Sequence, residues 1–153
     1  MNNVYIDVLN SFLRGELSAV ETHKIAVSKL SKSPFLHTLR KNLASHEARV
    51  QQIQGEIVTL GGEPASSSGV WGAFAKLVEG GAAMLGDKTA IAALEEGEDH
   101  GKKEYQEQLE KVAQPLRPIV QSLLAQQLES HKIMSGLKRK MSEPKPESRQ
   151  PGS

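Results

Sequence analysis

One histidine interrupts the apolar stripe of a long helical pattern. The stripe alternates spacings of three and four residues, with His46 at the step where another apolar residue is expected; its apolar members are Leu36, Leu39, Leu43, Val50, Ile53, Ile57 and Leu60. An imidazole that faces a helical core must be hydrogen-bonded, paired with a charge or bound to a metal, because burying an unpaired polar group is costly. His46 is therefore a candidate for chemistry.

Three further helical patterns each carry a polar residue at the corresponding place. Glu16 lies on the first stripe, Glu98 on the third and His131 on the fourth. Each of the four residues falls within roughly three residues of the middle of its predicted helix. Because the midpoints of equally long antiparallel helices share one layer, the sequence predicts that two carboxylates and two imidazoles meet in the core.

Two interpretations of this predicted layer stay open. Imidazole nitrogens and carboxylate oxygens suit zinc, iron or manganese, and metal sites of helical bundles are built from side chains on facing helices. Alternatively, the same groups form a hydrogen-bonded polar layer, in which Glu16 pairs with Arg49 and Glu98 pairs with His131. Two weaker candidates accompany them: His23 as an extra ligand, although a partly solvated ring is expected there, and Gln127 as a residue that orients a ligand.

The elements that must position these residues are four long helices. Sustained periods near 3.6 predict them at about 3–31, 34–60, 87–113 and 115–141. The first and second are joined by a tight turn, as are the third and fourth, so each pair should form an antiparallel hairpin.

A longer connection, residues 61–86, separates the two predicted hairpins. It begins with a Gly- and Ser-rich loop, and residues 70–78 have the pattern of a short amphipathic helix. A connection of this length lets the third helix start at the far end of the bundle. The sequence thus predicts an all-α domain over residues 1–141 and, from its polar and proline-rich composition, a disordered tail over 142–153.

Composition narrows the functional classes. The 19 Lys and Arg residues against 18 Asp and Glu residues give a net charge of +1, which argues against a general nucleic-acid binder. The chain has no cysteine, so disulfides and thiolate metal sites are excluded. We expect no signal peptide and no membrane span, hence a cytoplasmic protein, with homodimerisation left open.

Several short motifs resemble an uncharacterised bacterial family of ferritin-like domains. They are GELSAVE at 15–21, LGGEP at 60–64, the Gly- and Trp-containing connection, and EEGEDHGKKEYQEQL at 95–109. The order of glutamate, histidine, crossover, glutamate and histidine is also similar to that of the carboxylate-bridged di-iron proteins. The resemblance implies a ferritin-like four-helix bundle and a stress-related role.

Carried over to this chain, the resemblance implies that Glu16 and Glu98 are terminal carboxylate ligands and that His46 and His131 are imidazole ligands. The chain departs from the di-iron pattern three residues before each histidine, where Leu43 and Leu128 replace the bridging glutamates. Without bridging carboxylates, we expect a non-catalytic bundle with at most one metal ion. A metal-dependent oxidoreductase or ferroxidase is the first alternative, and a structural interaction or oligomerisation module is the second.

Overall fold

The computed structural model describes residues 2–69 and 86–142. These residues form four helices with no strand among them: α1 (Asn2–Lys29), α2 (Leu36–Thr59), α3 (Asp87–Lys111) and α4 (Arg117–Ser142). The short helix predicted at 70–78 and the tail predicted from residue 142, apart from Ser142 at the end of α4, lie outside the described residues. The prediction of an all-α chain with four long helices is confirmed.

The helix ends differ from the predicted ends by a few residues. Each helix has one end that differs by two residues: α1 ends at Lys29, α2 begins at Leu36, α3 ends at Lys111, and α4 begins at Arg117 after the short 3-10 turn Gln114–Leu116. Helix ends are the least certain part of a prediction from periodicity, because apolar spacing continues into adjoining turns.

Two apolar clusters fill the two halves of the bundle. The first cluster contains Leu9, Phe12, Leu13, Ile53, Ile57, Tyr105, Leu116, Ile119, Val120 and Leu123. The second cluster contains Ala26, Leu30, Leu39, Ala90, Ile91, Leu94, Met134 and Leu137. Each cluster draws on all four helices, so burial of both clusters holds the whole bundle together.

The membership of the clusters gives the helix directions. The first cluster takes the amino-terminal halves of α1 and α4 and the carboxy-terminal halves of α2 and α3. Therefore α1 and α4 run one way, and α2 and α3 run the other. Helix α1 packs on α2 and α3, and α4 packs on α3 and α2, so both predicted hairpins are present. The chain leaves α2 at one end of the bundle and enters α3 at the other.

The first residues after α2 are fastened to α1. Gly61 ends the helix in the left-handed conformation, with φ of 79°, which a residue with a side chain rarely adopts. The side chain of Asn10 then donates to the carbonyl of Glu63 at 3.0 Å and accepts from the amide of Ala65 at 2.7 Å. This pair of hydrogen bonds directs the start of the connection along α1.

None of the helices in the described ranges combines the length and the apolarity that crossing a bilayer requires.

A layer of buried polar side chains separates the two apolar clusters. Its members that are at most 3% exposed are Glu16, Thr22, His23, Asn42, His46, Arg49, Glu98, Gln127 and Ser130. Helices α3 and α4 approach closely at this level, since a Cβ atom on Gly101 would lie 2.6 Å from Nε2 of Gln127. The absence of a side chain at Gly101 therefore leaves the space that the amide of Gln127 occupies in the layer.

Replacing Gly101 with alanine should lower the free energy of unfolding. Displacing the buried Gln127 amide costs roughly 1–3 kcal/mol, which outweighs the roughly 1 kcal/mol that alanine gains over glycine inside a helix. Gly55 provides the matched control, because a Cβ there meets nothing within 4 Å and Gly55→Ala should stabilise the protein. Urea unfolding at 25 °C measures both changes. Stabilisation by both substitutions would mean that Gln127 is not held in this place.

Candidate metal centre

His46 lies between two buried carboxylates. Its Nδ1 atom is 2.6 Å from Oε2 of Glu16, and its Nε2 atom makes a short hydrogen bond to Oε1 of Glu98. These three residues stand on α2, α1 and α3, so one imidazole connects three helices. The helical spacing that turns Glu16, His46 and Glu98 inward was readable from the sequence; their mutual contact required the tertiary structure.

The two carboxylates hold His46 in its charged form. Burial alone would lower the pKa of His46, but the charges of Glu98 and Glu16 outweigh that effect and raise it to about 9. A ring whose two nitrogens both donate to carboxylates must carry both hydrogens. In the metal-free protein His46 is therefore an imidazolium at neutral pH.

Arg49 provides the second buried positive charge. It is 0% exposed, and its Nη1 atom donates to Oε1 of Glu16 at 3.2 Å and, through a short hydrogen bond, to Oε1 of Gln127. Its Nη2 atom donates to Oγ of Ser130 at 2.8 Å. The guanidinium thus ties α2 to α1 and α4 by directed hydrogen bonds.

Glu98 is held by donors from α4 as well as by His46. Oγ of Ser130 donates to its Oε2 atom at 2.7 Å, and Nε2 of Gln127 lies 3.0 Å from the same oxygen. Burial would raise the pKa of Glu98, but His46 above all, together with the hydrogen bond from Ser130, lowers it to about 2. Glu16 behaves in the same way. Burial would raise its pKa, but the positive charges of His46 and Arg49 lower it.

The charges of the layer cancel. Glu16 and Glu98 contribute two negative charges, while His46 and Arg49 contribute two positive charges. This cancellation explains how four ionised groups can be buried together, because isolated charges would be expelled or neutralised.

Two members of the layer have a buried acceptor atom without a hydrogen-bond partner among the described residues, Oδ1 of Asn42 and Nε2 of His23. Of these two residues, His23 is the one whose nitrogen lone pair suits a metal ion. Its Nδ1 atom is 2.7 Å from the carbonyl oxygen of Ala19, which can only accept, so Nδ1 carries the hydrogen and Nε2 carries a lone pair. That Nε2 atom is buried and has no hydrogen-bond partner within the described part of the chain. Burial and the charge of His46 lower the pKa of His23 to about 4, so the ring is neutral at pH 7.

His23, His46 and Glu98 form a buried group that could hold a metal ion. One nitrogen or oxygen of each residue lies within 4.8 Å of the others, and Nε2 of His23 is 3.8 Å from Oε1 of Glu98. Two imidazoles and one carboxylate suit zinc and non-haem iron. Binding there would require the proton on Nε2 of His46 to leave, as with any metal site built from histidine.

The groups around this triad match what metal-binding histidines need. Glu16 accepts from Nδ1 of His46 and is itself held by the hydroxyl of Tyr105, whose oxygen is 2.6 Å from Oε1 of Glu16. The carbonyl of Ala19 orients His23 in the same manner. Such partners fix the tautomer and the direction of a ligating ring.

The structure does not bring His131, predicted from the sequence as an imidazole ligand, into the buried group of candidate ligands. The side chain of His131 is 18% exposed and lies against α3, with its buried Nε2 atom 3.5 Å from carboxylate oxygens of Glu95 and Asp99. The buried position on α4 belongs to Ser130, one residue earlier. One residue turns a side chain by about 100° around a helix, which is enough to move it out of the core.

His23 was underrated from the sequence, because a partly solvated ring was expected and the side chain is 1% exposed. Its spacing of seven residues from Glu16 is the signal that marks it, since two residues seven apart share a helix face. Gln127 lies where the prediction placed it, beside Glu98.

A cleft between α1 and α3 leads to the triad. Small, half-buried residues line it on both helices, Gly15 and Ala19 on α1 and Gly97 and Gly101 on α3, and the candidate ligands line its inner part. Its volume is about 40 Å³. A buried water needs roughly 10–15 Å³ on this measure, so the cleft has room for about three waters or a partly hydrated ion.

Comparison with known proteins shows that the triad lies within a family domain of unknown function. A family profile described as "Domain of unknown function (DUF2383)" matches residues 4–111. The match covers α1, α2 and α3 nearly completely and includes the whole triad, whereas Ser130 and Gln127 lie beyond it. No curated protein and no solved structure matches the chain significantly.

In metal-free protein, the free energy of unfolding should fall as the pH rises from 6.5 to about 9. The pKa of His46 is higher in the folded state than its ordinary value of 6.5, so its stabilising effect is complete below pH 6.5 and is lost through this interval. Urea unfolding in the presence of a chelator measures the profile.

The variant His46→Gln should lack this decrease, and His37→Gln, at an exposed position of the same helix, should keep it. A flat profile for the unsubstituted protein over the same interval would contradict a charged His46 between the two carboxylates.

Proposed function

We propose that this chain, which belongs to the DUF2383 family of domains of unknown function, is a ferritin-like four-helix bundle that binds one divalent metal ion through His23, His46 and Glu98. The helix directions support the ferritin-like assignment, because a bundle of two hairpins with one end-to-end crossover is the arrangement of that class. The proposal also includes a cytoplasmic location and a stress-related role. The stress-related role rests on the family resemblance described above.

The lone pair on Nε2 of His23 is the observation on which the metal proposal rests. A buried acceptor without a donor is costly, and the hydrogen bond from Nδ1 of His23 to the carbonyl of Ala19 fixes the tautomer that leaves this lone pair available. A metal ion supplies what the lone pair needs and a proton does not, since the pKa of His23 is about 4. The neighbouring Glu98 supplies a negative charge 3.8 Å away.

Zinc, iron and manganese are the ions that this donor set suits. Three protein ligands leave coordination positions for water or a small molecule, and the cleft between α1 and α3 gives access to them. An ion so held would supply Lewis acidity or, if iron, redox capacity. The leading form of the proposal is a single-metal protein without catalytic activity.

A ferroxidase with two ions is the less favoured alternative. It would need bridging carboxylates near the triad, and the positions three residues before His46 and His131 are leucines. Moreover, Leu128 is 44% exposed, so its position does not face the site.

A purely structural polar layer is the second candidate function. The cancellation of charge among Glu16, Glu98, His46 and Arg49 favours it, because the layer is stable in charge terms without an added ion. In addition, Nη2 of Arg49 lies 3.3 Å from Nε2 of His46, so a positive group stands beside one of the candidate ligand atoms. The two candidates differ in what they expect of His23.

Metal content distinguishes them. Protein purified without chelator and without a metal-affinity tag should contain about one zinc, iron or manganese ion per chain by elemental analysis. Protein from which a chelator has removed the metal should bind one Co²⁺ ion per chain in a calorimetric titration. His23→Leu should weaken that binding at least tenfold, because it removes a direct ligand. His131→Leu is the matched control and should bind like the unsubstituted protein, since His131 is not one of the buried candidate ligands and its Nε2 atom faces Glu95 instead.

Other outcomes would choose an alternative. No bound metal together with higher thermal stability of His23→Leu would indicate the polar layer, because filling the site with an apolar side chain then removes an unpaired acceptor. Two irons per chain with rapid oxygen consumption would indicate the ferroxidase. Equal losses of Co²⁺ binding in His23→Leu and His131→Leu would contradict the ligand set proposed.

A further inference from the structure

Glu104 stands in the cleft between α1 and α3, outside the group of candidate ligands. It lines the cleft together with the triad and is half-buried, whereas the triad residues are fully buried. Its Oε1 atom accepts from Oγ of Ser11 at 3.0 Å, and its Oε2 atom would lie 3.8 Å from a Cβ on Gly15. The carboxylate therefore lies beside Gly15 in the cleft, where the hydrogen bond from Ser11 of α1 holds it.

Glu104 is surrounded by negative charge on both sides. Burial raises its pKa, and so do the charges of Glu16 on the inner side and of Glu107, an exposed residue one turn along α3. No described lysine or arginine forms a salt bridge with it within 4.0 Å. A carboxylate in these surroundings gains most from an approaching cation, which relieves repulsion from its acidic neighbours.

The inner end of the same cleft holds an unpartnered acceptor. Nε2 of His23 is buried without a hydrogen-bond partner among the described atoms, and His23 lines the cleft. The cleft thus has a half-buried carboxylate along its course and an available lone pair at its end. Its volume of about 40 Å³ admits a partly hydrated ion but not an organic molecule of ordinary size.

We infer that the cleft between α1 and α3 is the route by which a divalent cation reaches the triad, with Glu104 as the carboxylate that captures the cation on its way. This inference rests on the metal site proposed above and adds to it an entry path and a residue that is not a final ligand. Negative charges along a narrow cleft raise the local concentration of cations and their rate of association. A residue that acts only in transit changes the rates of entry and exit together and leaves the affinity nearly unchanged.

The test follows Co²⁺ uptake by metal-free protein in a stopped-flow instrument, through the visible absorption of bound cobalt, at an ionic strength of about 10 mM. Glu104→Gln should lower the association rate constant about three- to tenfold. Its dissociation rate constant, measured with excess chelator, should fall by a similar factor, so that Kd changes less than about twofold. Glu96→Gln removes the same charge from an exposed position of α3 outside the cleft and should leave both rates unchanged.

A second variant examines the path without changing charge. Gly15→Ala narrows the cleft, and the helix should tolerate it because the added Cβ atom would meet Oε2 of Glu104 at 3.8 Å, an ordinary contact distance. It should slow both entry and exit of Co²⁺.

Equal association rates for Glu104→Gln and Glu96→Gln would overturn the inference, as would a change in the dissociation rate alone, which would make Glu104 a holding charge. If the unsubstituted protein takes up no Co²⁺ at all, both this inference and the proposed metal site fail. Uptake that is lost in His23→Leu but unaffected in Glu104→Gln would overturn the entry path and leave the metal site standing.

Discussion

The charged hydrogen bonds of His46 with Glu16 and Glu98 are the interaction on which the rest of the site depends. Each of the three groups would be costly to bury by itself, and each is stable where it lies because the others are there. Since they stand on three different helices, the interaction also fixes the height and rotation of those helices relative to one another. The hydrogen bonds of His46 with the two carboxylates use both of its ring nitrogens, and satisfied buried contacts of this kind specify one packing arrangement more sharply than apolar contacts do.

The position of the layer between two apolar clusters gives it both its strength and its chemistry. The clusters exclude water from either side, which strengthens every charge interaction within the layer. The exclusion is incomplete at the small residues of α1 and α3, where the cleft reaches the candidate ligands. A bundle with bulky residues at those places would have a sealed polar layer, and the chain has glycines there instead.

His23 and Arg49 represent opposite tendencies within one layer. Arg49 satisfies the carboxylates by direct hydrogen bonds and makes an added cation less necessary. His23 is neutral and held in the tautomer that leaves Nε2 available. The polar-layer alternative thus rests on Arg49, and the metal proposal rests on His23. Which of the two holds depends on whether the layer is more stable with its four cancelling charges or with an added cation.

The sequence by itself determined the four helices, their pairing into hairpins and the inward direction of Glu16, His46 and Glu98. Long periodic patterns carry this information, because the rotation of a side chain around a helix follows from its spacing to apolar neighbours. What only the tertiary structure decided was the rotation of α4, which buries Ser130 and leaves His131 half-buried beside Glu95, and the full burial of His23 next to His46. Local spacing leaves an uncertainty of about one residue in such a rotation, and packing against α3, where Gly101 makes room for Gln127, removes it.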